Sequence, residues 1–200
     1  MTVTCDLSLS MDGYSTGYDQ RAAAPFGDGV GEVLHEWMFE HGRESADEVA
    51  AILDAGAYIM GRNMFGPVRG EWKGDWRGWW GDEPPYHAPV YVLTHFAREP
   101  LEMEGGTIFH FITDGPEKAM DAARAAAGER SVAIAGGAST INEFLRAGLI
   151  DELRLHFAPL VVGLGGHGIV RLFDGVERSE WVVASARSTP HVSHVTYRRR

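Results

Sequence analysis

Four short apolar runs constrain this chain more than any other feature: 57–61 (AYIMG), 89–95 (PVYVLTH), 106–113 (GTIFHFIT) and 131–137 (SVAIAGG). Each reads as a short buried strand. Helical segments lie between them. Ser45, with Glu48 three residues on, forms a capping box for a helix running to Ala55 and stopped by Gly56. Asp114-Gly115-Pro116 opens a second helix through Ala127, closed by Gly128. A third runs from Ser139 to Ala147 and ends at Gly148. Strands alternating with helices predict an α/β fold, with a mostly parallel central sheet flanked by helices.

The ends of the chain complete this pattern. Residues 2–11 alternate, with Val3, Cys5, Leu7, Leu9 and Met11 apolar and Thr2, Thr4, Asp6, Ser8 and Ser10 polar, which predicts a half-buried strand. Val30, Val33, Leu34, Trp37, Met38 and His41 share one face of a helix predicted over 30–41, and Glu32, Glu36 and Glu40 form its solvated face. Residues 151–163 alternate again. The segments 180–186 and 191–199 flank a turn at Ser188-Thr189-Pro190, a closing antiparallel hairpin. Residues 66–87 hold four of the six tryptophans among glycines and prolines, with no period, and predict a long functional loop. With 200 residues and no linker, the chain reads as a single domain over 1–200.

Charge and cysteine content narrow the function. The formal net charge of −10 argues against nucleic-acid or anionic-membrane partners. Only Lys73 and Lys118 are lysines, so a bound anion would meet arginine or backbone amides. A lone cysteine, Cys5, allows no internal disulfide, and no signal peptide or membrane-length apolar run is evident, so a cytoplasmic protein is expected. No metal-binding spacing is present; His35 and His41 are six apart and do not share a helical face.

In open parallel sheets, ligands sit beyond the carboxyl ends of the strands. Asp12 and Gly13, Gly61 and Arg62, Thr94 and His95, and Gly136 to Thr140 all fall at such ends. Gly136, Gly137, Ala138, Ser139 and Thr140 join a strand to a helix. That segment is either a tight turn with a Ser or Thr cap, or a set of free N–H groups presented to a phosphate. Arg62 is either an exposed turn residue or a guanidinium for a phosphate monoester.

Together the segments 8–14 (SLSMDGY), 58–66 (YIMGRNMFG), 89–95, 132–139 (VAIAGGAS) and 144–166 resemble the dihydrofolate reductase-like superfamily. The nearer branch is the reductase domain of bacterial riboflavin-biosynthesis deaminase-reductases. The resemblance implies NADPH bound across the strand ends. Gly61 and Arg62 would lie at the adenosine half, with Arg62 on the 2′-phosphate. Thr94 and His95 would flank the ribose, and Gly136 to Thr140 would cradle the pyrophosphate. It also implies a cis peptide between Gly136 and Gly137, and a homodimer formed through late strands around 152–162 and the hairpin. Riboflavin-pathway reductases carry a substrate-contacting glutamate where this chain has Ala135. The reaction implied is hydride transfer to a C=N or C=O bond of a small heterocyclic substrate, with the proton drawn from Asp12, Asp6, another polar group of the first strand, or water. Trp37 and the tryptophans of 72–80 would wall the substrate. The alternative is a non-catalytic nucleotide- or flavin-binding protein of the same fold.

Overall fold

The computed structural model describes residues 1–30, 32–67, 69–163 and 167–200. Its centre is a nine-stranded sheet in the order β4-β5-β3-β2-β6-β1-β7-β9-β8. The strands are β1 (Val3–Leu9), β2 (Ala57–Gly61), β3 (Pro89–Leu93), β4 (Leu101–Glu102), β5 (Ile108–Ile112), β6 (Val132–Gly136), β7 (Glu152–Phe157), β8 (Trp181–Ser188) and β9 (Ser193–Arg199). All pairings from β5 through β7 are parallel. The pairings β4–β5, β7–β9 and β8–β9 are antiparallel, so the sheet is mostly parallel with antiparallel margins.

Five helices punctuate the strands among the described residues: α1 (Glu36–Phe39), α2 (Ala46–Ile52), α3 (Arg62–Phe65), α4 (Pro116–Ala127) and α5 (Ala138–Arg146). One sheet face buries Val3, Cys5, Leu7, Ile59 and Ile134 under α4 and α5, which contribute Met120, Ala123, Ile141 and Phe144. The other face buries Tyr58, Met60, Val90, Val92 and Phe109, against which Trp72, Trp76 and Trp80 of the long loop pack. The period-2 alternation within each strand assigns residues to these two cores.

Several expectations are corrected. β1 is buried on both faces, with Thr4, Ser8 and Ser10 at 3%, 7% and 0% exposure, because it lies fourth from the β8 edge and is covered on its polar side as well. The helix expected over 30–41, whose residue 31 lies outside the described set, contracts to α1. A 3₁₀ turn follows at Gly42–Ser45. Val33 is exposed instead of sharing the buried face of Leu34 and Trp37. Ser45 makes no side-chain cap on α2, because its hydroxyl is engaged by His194, and α2 ends at Ile52 rather than Ala55. The strand expected over 151–163 stops at Phe157, two residues before Pro159, which has no N–H for a ladder. The two-residue strand β4 and the single-turn helix α3 had no periodic signal.

The long loop is held by its indoles. Trp72 Nε1 donates to the Phe96 carbonyl at 2.8 Å and Trp76 Nε1 to the Phe65 carbonyl at 2.9 Å. These rings are half-buried and pack against the core of that face. Indoles that pack on a core and reach a carbonyl leave no unsatisfied N–H, which explains an ordered run with no regular structure.

Candidate active site

The carboxyl ends of β2 and β6 meet at one place. The Gly136–Gly137 peptide is cis, and Gly136 has φ +124°, a conformation that favours glycine. Gly137 precedes α5 as its N-cap. A Cβ on Gly137 would meet nothing within 4 Å, so the surface there is open. The helix starts at Ala138, which places Ser139 and Thr140 inside its first turn; neither caps it. Ile141 N donates to Gly137 O. The amides of Ala138, Ser139 and Thr140 are the first-turn donors that an α-helix leaves without an intrahelical partner. Gly61 is fixed by contact with this turn, since a Cβ there would strike the Thr140 hydroxyl. A cavity of about 320 Å³ runs from Ser139 and Thr140 along the outer side of α5 to Val170 and Asp174.

Arg62 lies just beyond Gly61, in the first turn of α3. Its Nη1 donates to Thr94 Oγ1 at 3.0 Å, and its guanidinium lies 3.1 Å from the centre of the Trp72 ring. Arg98 sits over the same ring at 4.9 Å. Burial, followed by repulsion from Arg69 and Arg98, pushes the Arg62 pKa down to about 10. Burial also lowers Arg69 and Arg98. No ion pair among the described residues engages any of the three, although Asp75 is near enough to Arg98 to be felt. Three crowded guanidinium groups without a carboxylate form a site that gains from a multivalent anion. Arg69 and Arg98 carried no signal in the sequence, because only the fold of the tryptophan loop brings them to Arg62. His95, beside Thr94, is exposed.

The remaining candidates lie on the other side of the glycine pair. Asp12 is pinned: it accepts from Ser10 Oγ at 2.7 Å, Val162 N at 3.0 Å and Gly163 N at 2.8 Å. Burial is the largest single influence and raises its pKa, but these bonds together outweigh it and the net shift is downward, so Asp12 ties a loop and is a poor acid. Trp37 is 1% exposed, and its Nε1 donates to Ser8 Oγ at 3.0 Å, so it is a fully buried ring with its N–H satisfied by β1. Asp6 is different. Its side chain is 8% exposed, 3.5 Å from Arg154 and 3.7 Å from His156, and neither oxygen has a hydrogen-bond partner among the described residues. It lines a cavity of about 370 Å³ with Glu48, Arg154, His156 and His194. β1 and β6 run parallel, with Cys5 opposite Ile134 as the last paired rung, and the β2–β6 register skips Ala135, passing from Ile59 opposite Ile134 to Met60 opposite Gly136.

Glu36, His41 and His191 have potential ligand atoms within 4.8 Å of one another, a grouping that sequence spacing did not reveal. The two imidazoles are stacked at 3.6 Å with planes 8° apart. Lone pairs in nearly parallel planes do not converge on one ion.

The family model of the RibD C-terminal domain matches residues 1–191. The chain belongs to that family. RibD C-terminal domains are reductases, so the family points to a reductase. A solved structure from Shewanella sp. PV-4, provisionally described as a riboflavin biosynthesis protein, is 24% identical. The match covers 100% of this chain and 99% of that one, with a TM-score of 0.63. A pyrimidine reductase-like protein from Corynebacterium diphtheriae is 17% identical, with 100% and 92% covered and a TM-score of 0.58. Both likenesses support the dihydrofolate reductase-like fold. No curated protein matches the chain. No helix among the described residues is long and apolar enough to cross a membrane.

Proposed function

We propose that this RibD C-terminal domain protein is an NADPH-dependent reductase of a small heterocyclic substrate. The observation that supports the reading is the packing of Gly61 on Thr140, which brings the α5 first turn and Arg62, with its neighbours Arg69 and Arg98, to adjacent strand ends. Gly136, Gly137, Ala138, Ser139 and Thr140 present backbone amides at a helix N-terminus, where a pyrophosphate is favoured. Arg62 lies one residue beyond Gly61, which packs on Thr140. Arg62, Arg69 and Arg98 then meet the 2′-phosphate, with Trp72 holding the Arg62 guanidinium in place. Thr94 orients Arg62, and His95 stands at the exposed rim beside it.

Bound there, the nicotinamide supplies the hydride. The chain positions both reactants and excludes water. Asp6 supplies the carboxylate of the substrate side, from the strand next to Ala135. The edge strand β8 presents Val182 and Val183 at 40% and 61% exposure, and it is the surface proposed for homodimer pairing.

The test is nucleotide binding by calorimetry. Arg62→Ala should weaken NADPH by about 1.5–3 kcal/mol, the worth of a charge-assisted hydrogen bond, and leave NADH nearly unchanged. Equal losses for both nucleotides would remove the 2′-phosphate assignment.

A further inference from the structure

Four buried side chains over β1, β7 and β9 form a row whose hydrogens follow from geometry. Ser45 Oγ lies 2.9 Å from His194 Nε2. His194 Nδ1 lies 2.8 Å from His156 Nδ1. His156 Nε2 faces Asp6 Oδ1 at 3.7 Å. Two ring nitrogens in hydrogen-bond contact hold one hydrogen between them, so one ring carries a proton on Nδ1 and the other does not. An ionised Asp6 only accepts, which draws the His156 hydrogen to Nε2. His156 Nδ1 then accepts from His194 Nδ1–H, and His194 Nε2 accepts from the Ser45 hydroxyl. Every hydrogen points toward Asp6.

The Asp6 end is unfinished. Asp6 Oδ1, Asp6 Oδ2 and His156 Nε2 are buried and have no hydrogen-bond partner among the described residues, and both residues line the cavity of about 370 Å³. A gap of 3.7 Å between a donor and an acceptor closes by a small rotation or through one polar atom of a ligand. Burial, then the neighbouring His156, lowers the His194 pKa to about 4, so this ring stays neutral and can both give and take a proton.

We propose that Ser45, His194, His156 and Asp6 form a proton relay that opens into this cavity and delivers a proton to the ligand there. The use of that proton rests on the reductase reading; the hydrogen pattern does not. A proton from a hydronium ion enters at Ser45 Oγ, leaving neutral water, and the serine passes its own proton to His194 Nε2. His194 passes its Nδ1 proton to His156 Nδ1, and His156 passes its Nε2 proton to Asp6. The net change is one proton on Asp6 and both rings in the inverted tautomer. Asp6 gives that proton to the heteroatom of the substrate double bond, which binds it with the former π electron pair, while the carbon of that double bond takes the hydride with the hydride's own pair. Asp6 is again a carboxylate, and exchange with water restores the first tautomers. Asp6 is the catalytic residue; the other three act through it.

The groups that bias the relay are Glu152 and Arg154 from β7, Glu48 from α2, Arg187 from β8, and His35. The experiment is ¹⁵N-histidine NMR on the ligand-free protein across pH, with Ser45→Ala as the variant. The relay requires His156 and His194 to hold opposite tautomers and to invert together at one midpoint. Ser45→Ala should shift the His156 nitrogens, although Ser45 bonds only to His194. Like tautomers, separate midpoints, or an unmoved His156 in the variant would overturn the relay. NADPH titration of the same wild-type sample judges the reductase reading separately: a failure to bind overturns that reading, and the tautomers still decide the relay.

Discussion

One face of one sheet is built in two ways. Over β2, β3 and β5 it carries Tyr58, Met60, Val90, Phe109 and Phe111 and is sealed by indoles from the tryptophan loop. Over β1, β7 and β9 the same face carries Asp6, Ser8, Glu152, Arg154, His156, His194 and Arg198. Both halves are largely buried, yet they are held by different forces. The aromatic half depends on area and ring packing, with Phe65 meeting Phe109 at 5.0 Å and Phe111 at 5.2 Å between centroids. The polar half depends on pairing: Glu152 accepts from Arg154 Nε at 2.7 Å and Arg198 Nε at 2.8 Å. A half held by packing gives a rigid base for Arg62. A half held by pairing can leave one carboxylate open.

The comparison is most strongly broken from the aromatic side. Phe109→Ala, at a residue with 0% exposure, should cost about 3–5 kcal/mol in urea unfolding by emptying the space beneath Trp80 and Tyr86. A loss under about 1 kcal/mol would mean that the loop does not seal that half.

On the polar side, Glu152→Gln should cost about 1–3 kcal/mol, because the buried Glu152 carboxylate is shared by the largely buried Arg154 and the mostly exposed, solvent-screened Arg198. Burial raises the Glu152 pKa, but hydrogen bonds from Arg198 and Arg154 outweigh it, and the net shift is downward. Its stabilisation is therefore complete above the unfolded glutamate value of about 4.3 and is lost as pH falls below it. The variant should flatten that acid limb of the stability curve.

A smaller effect separates the halves by pH. His35 and His194 both titrate near 4 in the fold, mainly because burial disfavours their charge. The unfolded chain takes up these protons near 6.5, so native stability should decline as pH falls from about 6.5 to 4. Urea midpoints for wild type and His194→Gln should converge toward the low end of this window. Parallel curves would show that His194 is not held neutral. Smallest of all, Arg187→Ala should change stability by under about 1 kcal/mol, because the Arg187 side chain is 46% exposed and solvent screens its pairing with Glu48.

The two halves also differ in how far the sequence revealed them. The short apolar runs placed β2, β3, β5 and β6 to within a residue or two, and the Asp-Gly-Pro and Gly signals placed both ends of α4, because local periodicity and punctuation act there without competition. The strand-end positions Gly61, Arg62, Thr94 and Gly136 to Thr140 were legible for the same reason. The polar half was not. Thr4, Asp6 and Ser8 alternate as a solvent-facing row would, and only the covering segments around Trp37 and Ser45 bury them. Ser45 signalled a helix cap because its local options are visible in sequence and its partner, His194, 149 residues away, is not. Arg69 and Arg98 were hidden likewise, since neither the tryptophan loop that holds Arg69 nor the β3–β4 connection that holds Arg98 has a period to say where its arginine points.

The account turns on the cradle at Gly136 and Gly137, and calorimetric titration of NADPH into wild type and Gly137→Val tests it most directly. Gly137 has φ −78°, and an added Cβ meets no protein atom within 4 Å, so the variant should fold with thermal stability close to wild type. The valine would occupy the place assigned to the pyrophosphate, and NADPH binding should be abolished. A folded variant that binds NADPH as tightly as wild type would contradict the account and leave the glycine pair as a turn.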